Sequence, residues 1–152
     1  MLATGGSCAP EPRIGKLAGM VELVDHTGEL EMRVEHEELA GVYAEALGAL
    51  AAELVDAPGE AGSRGRRPVD LRASGRDTLL AELLNEAIYL AEVAGFVADG
   101  LEPEVLEETR VAGALVGYDH PGARPVVKAA TFHGLALAPG GRGWRASVVL
   151  DV

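Results

Sequence analysis

Cysteine is almost absent from this 152-residue chain, which carries only Cys8. A single thiol excludes an internal disulfide and a zinc site built from several cysteines, and it agrees with a reducing compartment. The chain also lacks an apolar run of the ~20 residues that a membrane-spanning helix requires. Residues 1–19 contain no apolar segment of the kind that marks a secretory signal. We therefore expect a cytoplasmic protein with no membrane partner.

Positive charge is scarce as well. The chain has 13 basic and 24 acidic residues, a formal net charge of −11, and its only lysines are Lys16 and Lys128. A protein that grips nucleic acid directly neutralises phosphates with a basic surface, which this composition does not offer. The charge fits a basic protein partner, bound cations, simple solubility or adaptation to high salt.

Recognisable catalytic motifs are missing. There is no G-x-S-x-G, and Cys8 lies in a segment without periodicity that could not orient a catalytic base. His36-Glu37 is not followed by the second histidine of an HExxH zinc motif. The glycines of residues 140–143 precede a predicted strand rather than a helix, so they indicate a hairpin turn and not a phosphate-binding loop.

The length fits one domain. We predict a flexible arm at residues 1–19 and an ordered domain at residues 20–152, so Met20 is an alternative start. Apolar residues recur at three- and four-residue spacing over 39–54 and 80–91, which predicts two amphipathic helices. Period-2 alternation predicts strands before, between and after them. Because the strands cluster at the end of the chain, the fold class is α+β, with two helices packed on a mixed or antiparallel sheet.

Several local features follow from the same patterns. Glu37 and Glu38 are expected in the first turn of the first helix, Asp77 as the N-cap of the second, and Gly95 at its C-terminal end. Residues 57–59 are expected to end the first helix, and residues 58–68 to form a loop carrying three arginines. Residues 96–99 and 102–108 are expected to form two separate strands.

Most carboxylates belong to solvated faces, Glu104, Glu107 and Glu108 among them. The chain end differs, because the apolar strand of residues 148–150 carries Asp151 and then the α-carboxylate of Val152. Two negative charges ~4 Å apart repel by about 4 kcal/mol at an effective dielectric constant near 20, and a hard cation removes that cost. Oxygen ligands select calcium, magnesium or manganese. From this pattern alone, an ordinary solvated terminus is favoured over a cation site.

Four segments resemble the archease family, small proteins that activate RtcB-type RNA ligases. Residues 25–29 (DHTGE) are similar to the family's acidic-His-Thr-Ala-Asp motif. Residues 127–135 (VKAATFHGL) are similar to its V-K-A-hydrophobic-T-Y-H stretch, and residues 144–152 to its ending in hydrophobic residues, Asp and Ile. Residues 79–89 (LLAELLNEAIY) are similar to a helical motif of the family. The order and spacing fit from Met20 to Val152.

The resemblance implies a divalent metal ion, calcium or manganese or magnesium, held by Glu29, Asp151 and the terminal residue Val152. Glu29 stands where the family usually has Asp, and one extra methylene changes the reach of the carboxylate. Gly28 replaces the family's Ala and Phe132 its Tyr. Lys128 and His133 are candidates for contact with the ligase or its phosphate-bearing substrate.

The function implied by the resemblance is that of a protein cofactor without catalysis of its own. It would promote guanylylation and multiple turnover of an RtcB-type RNA ligase in tRNA splicing or RNA repair, while the ligase carries GTP, manganese and RNA. Two other classes stay open. One is a general chaperone or interaction module, and the other is a metal-dependent phosphoryl-transfer or hydrolytic enzyme that uses the same carboxylates.

Overall fold

The computed structural model describes residues 19–55, 61–121, 123 and 126–152. Apart from Gly19, the predicted arm lies outside the described residues, and so do the predicted helix-ending residues 57–59. The elements in the described residues are, in chain order, β1 (Met20–His26), β2 (Glu29–His36), α1 (Leu39–Leu54), β3 (Arg64–Arg72), α2 (Arg76–Ala94), β4 (Phe96–Leu106), β5 (Arg110–Asp119), β6 (Ala129–Gly140) and β7 (Gly143–Asp151).

The strands form two sheets. Sheet A has four strands in the order β1-β2-β7-β6, and sheet B has three in the order β3-β5-β4. Each pairing between neighbouring strands of the described residues is antiparallel. The predicted α+β class is confirmed, and of the two predicted kinds of sheet, mixed or antiparallel, the structure has the antiparallel kind. Strand β7 is an inner strand of sheet A although it is the last element of the chain, so both of its edges are paired.

The two helices join the sheets around one core. Helix α1 packs on β4 of sheet B and on β2 and β7 of sheet A, while α2 packs on β6 of sheet A and β4 of sheet B. The apolar stripes of both helices are buried, as their spacing predicts. Gly95 ends α2 with φ 64° and donates its N–H to the Leu90 carbonyl, which confirms its expected place. In the described ranges, neither helix is long and apolar enough to cross a membrane.

The helix N-termini differ from the prediction. Helix α1 begins at Leu39, so Glu37 and Glu38 precede it and its first turn carries no acidic residue. Glu38 remains extended because its N–H donates to His36 Nδ1 at 3.0 Å, which holds the chain in the turn after β2. At α2 the N-cap is Gly75, and Asp77 lies inside the first turn, where its Oδ1 accepts the N–H of Thr78 at 2.7 Å.

The prediction of a loop at residues 58–68 is wrong from Arg64 onwards, because β3 begins there. Its arginines are held by charges across sheet B: Arg64 donates to both oxygens of Asp99 at 3.0 and 2.9 Å, and Arg66 lies 3.0 Å from Glu102. Arg67 stacks 4.2 Å from the centre of the Phe96 ring. Residues 64–67 thus carry ion pairs and one cation–π contact, and the apolar alternation used to predict strands begins only at Val69.

Residues 96–106 form one strand, β4, instead of the two predicted. Its pairing with β5 shifts register between Ala98 and Gly100 and again between Pro103 and Val105. Each shift is a β-bulge, which interrupts the alternation of side chains without ending the strand. Pro103 is tolerated because β4 is an edge strand of sheet B. The broken alternation gave the appearance of two short strands.

Candidate metal and partner-binding site

A tight turn places Glu29 at the start of β2. Strands β1 and β2 pair antiparallel up to His26 opposite Glu29, so Thr27 and Gly28 alone make the connection. Gly28 has φ 75°, in the left-handed region that favours glycine. An alanine here, as the family motif has, would meet no atom of the described residues within 4 Å, so its cost comes from strain of the backbone.

The register of sheet A brings Glu29 and Asp151 together. Glu29 pairs directly with Asp151 between β2 and β7, and the next pair, Leu30 and Leu150, is buried in the core. Because side chains alternate along a strand, both carboxylates point to the face of the sheet away from the helices. Directly opposite residues have Cβ atoms about 4.5–5.5 Å apart. Both side chains are exposed, so their oxygens are accessible from solvent.

The chain end is held on both sides of Asp151. The N–H of Val152 donates to the Gly28 carbonyl at 3.3 Å, and the N–H of Lys128 donates to the Asp151 carbonyl at 2.7 Å. Asp151 also pairs with Ala129 in β6. The terminal carboxylate, Glu29, Asp151 and the backbone of Lys128 therefore meet at one end of sheet A. The side chain of Lys128 is exposed there.

His133 does not join this group. It lies four residues beyond Ala129, up to about 13 Å along an extended strand. The pairing of β6 with β7 loses register between Thr131 and Ala136, and Gly134 in this bulge has φ 68°. His133 and Phe132 are both exposed on the bulge. Of the five residues singled out in the sequence, the structure thus brings four to one place and leaves His133 further along the same edge strand.

The donors at this end suit a hard cation. They are two carboxylate side chains and the terminal carboxylate, a set made only of oxygen, which calcium, magnesium and manganese prefer. Within the described part of the chain, no three His, Cys, Asp or Glu side chains are grouped so that they could hold a metal ion. A cation site at this end would therefore need the α-carboxylate of Val152 as a third ligand beside Glu29 and Asp151.

A polar network covers the sheet face next to these carboxylates. Glu31, two residues after Glu29 on the same face, accepts hydrogen bonds from Arg33 Nε at 3.1 Å and Ser147 Oγ at 3.1 Å. His26 Nε2 lies 3.4 Å from the same carboxylate. These partners, Arg33 foremost, lower the pKa of Glu31. Glu31 is thus an ionised carboxylate with several side-chain partners, whereas the side chains of Glu29 and Asp151 have no such partner among the described residues.

Sequence reasoning missed this network, although the signal is present. Residues 29, 31, 33 and 35 alternate with buried apolar residues, so they necessarily share one face of β2. A cavity of about 460 Å³ lies on the same face beyond the network, between Met20, Arg33, Ala138 and Arg145. No pattern in the sequence indicates the cavity, because it depends on how β1 and β6 are spaced across the sheet.

Comparison with known proteins places the chain in a family. The sequence profile of the Archease protein family (MTH1598/TM1083) matches residues 22–152. No curated protein is significantly similar to this sequence.

Two solved structures share the fold. Protein 1598 of Methanobacterium thermoautotrophicum superposes with a TM-score of 0.63 at 21% identity, over 87% of this chain and 98% of that one. A Thermotoga maritima protein described as an archease and possible chaperone superposes with a TM-score of 0.55 at 16% identity, over 88% of this chain and 98% of that one. With the profile match over residues 22–152, the chain belongs to the archease family.

Proposed function

We propose that this protein is a non-catalytic cofactor of an RtcB-type RNA ligase in the cytoplasm, where it promotes guanylylation and multiple turnover of the ligase in tRNA splicing or RNA repair. The end of sheet A that carries Glu29, Asp151 and Val152 is the part that acts on the ligase. We assign GTP, manganese and RNA to the ligase, since this sequence has no phosphate-binding motif and only 13 basic residues against 24 acidic ones.

One observation carries the proposal: Glu29 faces Asp151 across β2 and β7, while Val152 is tied to Gly28. Like charges placed directly opposite each other destabilise an antiparallel pair. A ligand that neutralises these two negative charges therefore stabilises the folded protein. A divalent cation bound by Glu29, Asp151 and the terminal carboxylate supplies the positive charge that removes the repulsion.

The charge of the protein supports a basic protein partner. A net charge of −11 steers association with a positively charged surface and suppresses direct contact with RNA. The cleft of an RNA ligase that binds RNA and nucleotide is such a surface. Lys128, exposed beside Asp151, is the one basic side chain among the residues assigned to this end, and we assign it to contact with the ligase or its phosphate-bearing substrate, with His133 as a more distant contact.

A chaperone role is the second candidate. The Thermotoga maritima relative is described as a possible chaperone. Such a role would use the acidic surface to keep clients in solution and would not depend on the chain end. It therefore predicts that changes at Asp151 and Val152 leave the activity of the protein unaltered.

The test is an RNA ligation assay at limiting ligase, with and without this protein. We expect stimulation when several turnovers are required, and loss of stimulation in Asp151→Asn and in a chain with a C-terminal tag, which converts the α-carboxylate of Val152 into an amide. A tag at the N-terminus serves as the matched control and should leave stimulation intact.

The other outcomes identify the rivals. Stimulation that is equal in all four proteins rejects the role of the chain end. Suppression of aggregation of unrelated clients without any stimulation selects the chaperone. Turnover of nucleotide or RNA by the purified protein alone selects the metal-dependent enzyme.

A further inference from the structure

Strand β6 is held to β7 in two separate blocks. Residues 129–131 pair with residues 149–151, and residues 136–140 pair with residues 143–147. Between the blocks, residues 132–135 are out of register, with Gly134 at φ 68°. The second block is anchored by the hairpin turn at Gly141. The first block contains only three pairs, yet it holds Asp151, and the bulge isolates it from the hairpin.

A side chain from the helix layer secures the first block. Asn85 of α2 donates from Nδ2 to the Ala130 carbonyl at 3.0 Å and accepts the Ala130 N–H on Oδ1 at 2.8 Å. Both backbone groups of one residue are thus paired with one amide, as they would be with another strand. Ala130 is only 3% exposed, so leaving its N–H and carbonyl without the Asn85 amide costs free energy.

Ala130 lies between the two contacts that fix the chain end. The N–H of Lys128 donates to the Asp151 carbonyl at 2.7 Å, and Thr131 Oγ1 donates to the Val149 carbonyl at 3.0 Å. A shift of Ala130 along α2 therefore displaces the donors on both sides of it, and with them Asp151 and Val152.

We propose that Asn85 is a positioning residue for the chain end. Its amide fixes the first block of β6, so that Asp151 and Val152 stay opposite Glu29 and the three carboxylates can act on one cation. Asn85 does not touch the cation. The effect expected on calcium binding rests on the proposed cation site. The effect expected on the structure of β6 does not, and hydrogen exchange measures it directly.

The experiment compares the full chain with Asn85→Ala and Asn85→Asp. The Asp variant is nearly isosteric and keeps an acceptor for the Ala130 N–H. It loses the donor to the Ala130 carbonyl and places a carboxylate oxygen next to that carbonyl instead. Val111→Ala is the matched control, because it removes buried volume from β5 in sheet B, away from the chain end. Backbone amide exchange is followed by NMR, and calcium affinity by isothermal titration, well below the melting temperatures.

We expect both Asn85 variants to exchange faster at residues 128–131 and 149–151, and to bind calcium about tenfold more weakly, a change of about 1.4 kcal/mol. Val111→Ala should melt earlier with unchanged calcium affinity. Calcium affinity in Asn85→Ala equal to that of Val111→Ala overturns the inference. If the unaltered protein binds no calcium, the proposed cation site is wrong, and amide exchange at residues 149–151 tests the positioning role by itself. Faster exchange in the Asn85 variants supports that role, and unchanged exchange rejects it. If Asn85→Ala does not fold, Asn85→Ser replaces it in the same comparison.

Discussion

Replacing Asp151 with Asn should stabilise the protein slightly when no divalent cation is present. Asp151 is directly opposite Glu29, and both side chains are exposed. Like charges in this position cost about 0.2–1 kcal/mol. In a domain of this size, 1 kcal/mol shifts the melting temperature by about 2–4 °C, so Asp151→Asn should melt at most about 4 °C higher in a chelator at low salt.

With calcium the order should reverse. A ligand at 100 times its dissociation constant stabilises the folded state by about 2.7 kcal/mol, or about 5–10 °C here. Asn keeps the size of the side chain and one carbonyl oxygen but removes the charge that a hard cation requires. The variant should therefore lose most of the calcium-induced shift, melting above the unaltered protein in chelator and below it in calcium.

Thermal unfolding followed by circular dichroism, in chelator and in calcium, tests both expected differences in melting temperature. Glu104→Gln is the matched control, since Glu104 is exposed in the β4 bulge of sheet B and removal of its charge leaves the chain end intact. It should show the full calcium-induced shift. An equal calcium-induced shift in Asp151→Asn would leave residues 151 and 152 as an ordinary solvated terminus.

Three further outcomes are expected. Glu29→Ala should weaken calcium binding and ligase stimulation without unfolding the domain, while Glu29→Asp should be tolerated or bind more tightly; titration calorimetry contradicts the ligand assignment if Glu29→Ala binds normally. A chain starting at Met20 should melt and stimulate like the full chain, and a fall of several degrees in melting temperature would contradict this. Because Arg33 lowers the pKa of Glu31, the stability that this ionised carboxylate contributes is present above its ordinary pKa near 4.5 and is lost as the pH falls through the lowered value. Glu31→Gln should therefore melt below the unaltered protein near neutral pH and approach it in acid; a gap that persists in acid would show that charge is not the cause.

The elements that bury an apolar face were predictable from the sequence. Leu47 and Leu84 recur in stripes at helical spacing, and both are fully buried. Leu30 and Met32 alternate with charged residues, and they form the inner face of β2. These predictions succeed because burial imposes the period of the element on its sequence.

Elements stabilised by polar contacts were not predictable in the same way. Arg64 and Arg66 lie in a strand and have ion-pair partners, Asp99 and Glu102, that come from β4 across sheet B. Nothing local to residues 58–68 reveals those partners. Asn85 is similar: it lies in the middle of a helix that is otherwise read from its apolar stripe, and its partner is 45 positions away. Such contacts depend on the tertiary register, which a single sequence does not specify.

The candidate site was predictable from the sequence only in part. The family resemblance names Glu29, Asp151 and Val152, but only the register of β2 with β7 places the first two opposite each other. A chain end normally frays. Here the last strand is an inner strand, with β2 pairing on one side and β6 on the other. Two antiparallel neighbours thus hold Asp151 in place, as the proposed cation site requires, and the three-pair block of β6 beside the bulge is the weaker of the two supports. Changes that loosen β6 should consequently weaken cation binding before they affect the melting of the whole domain.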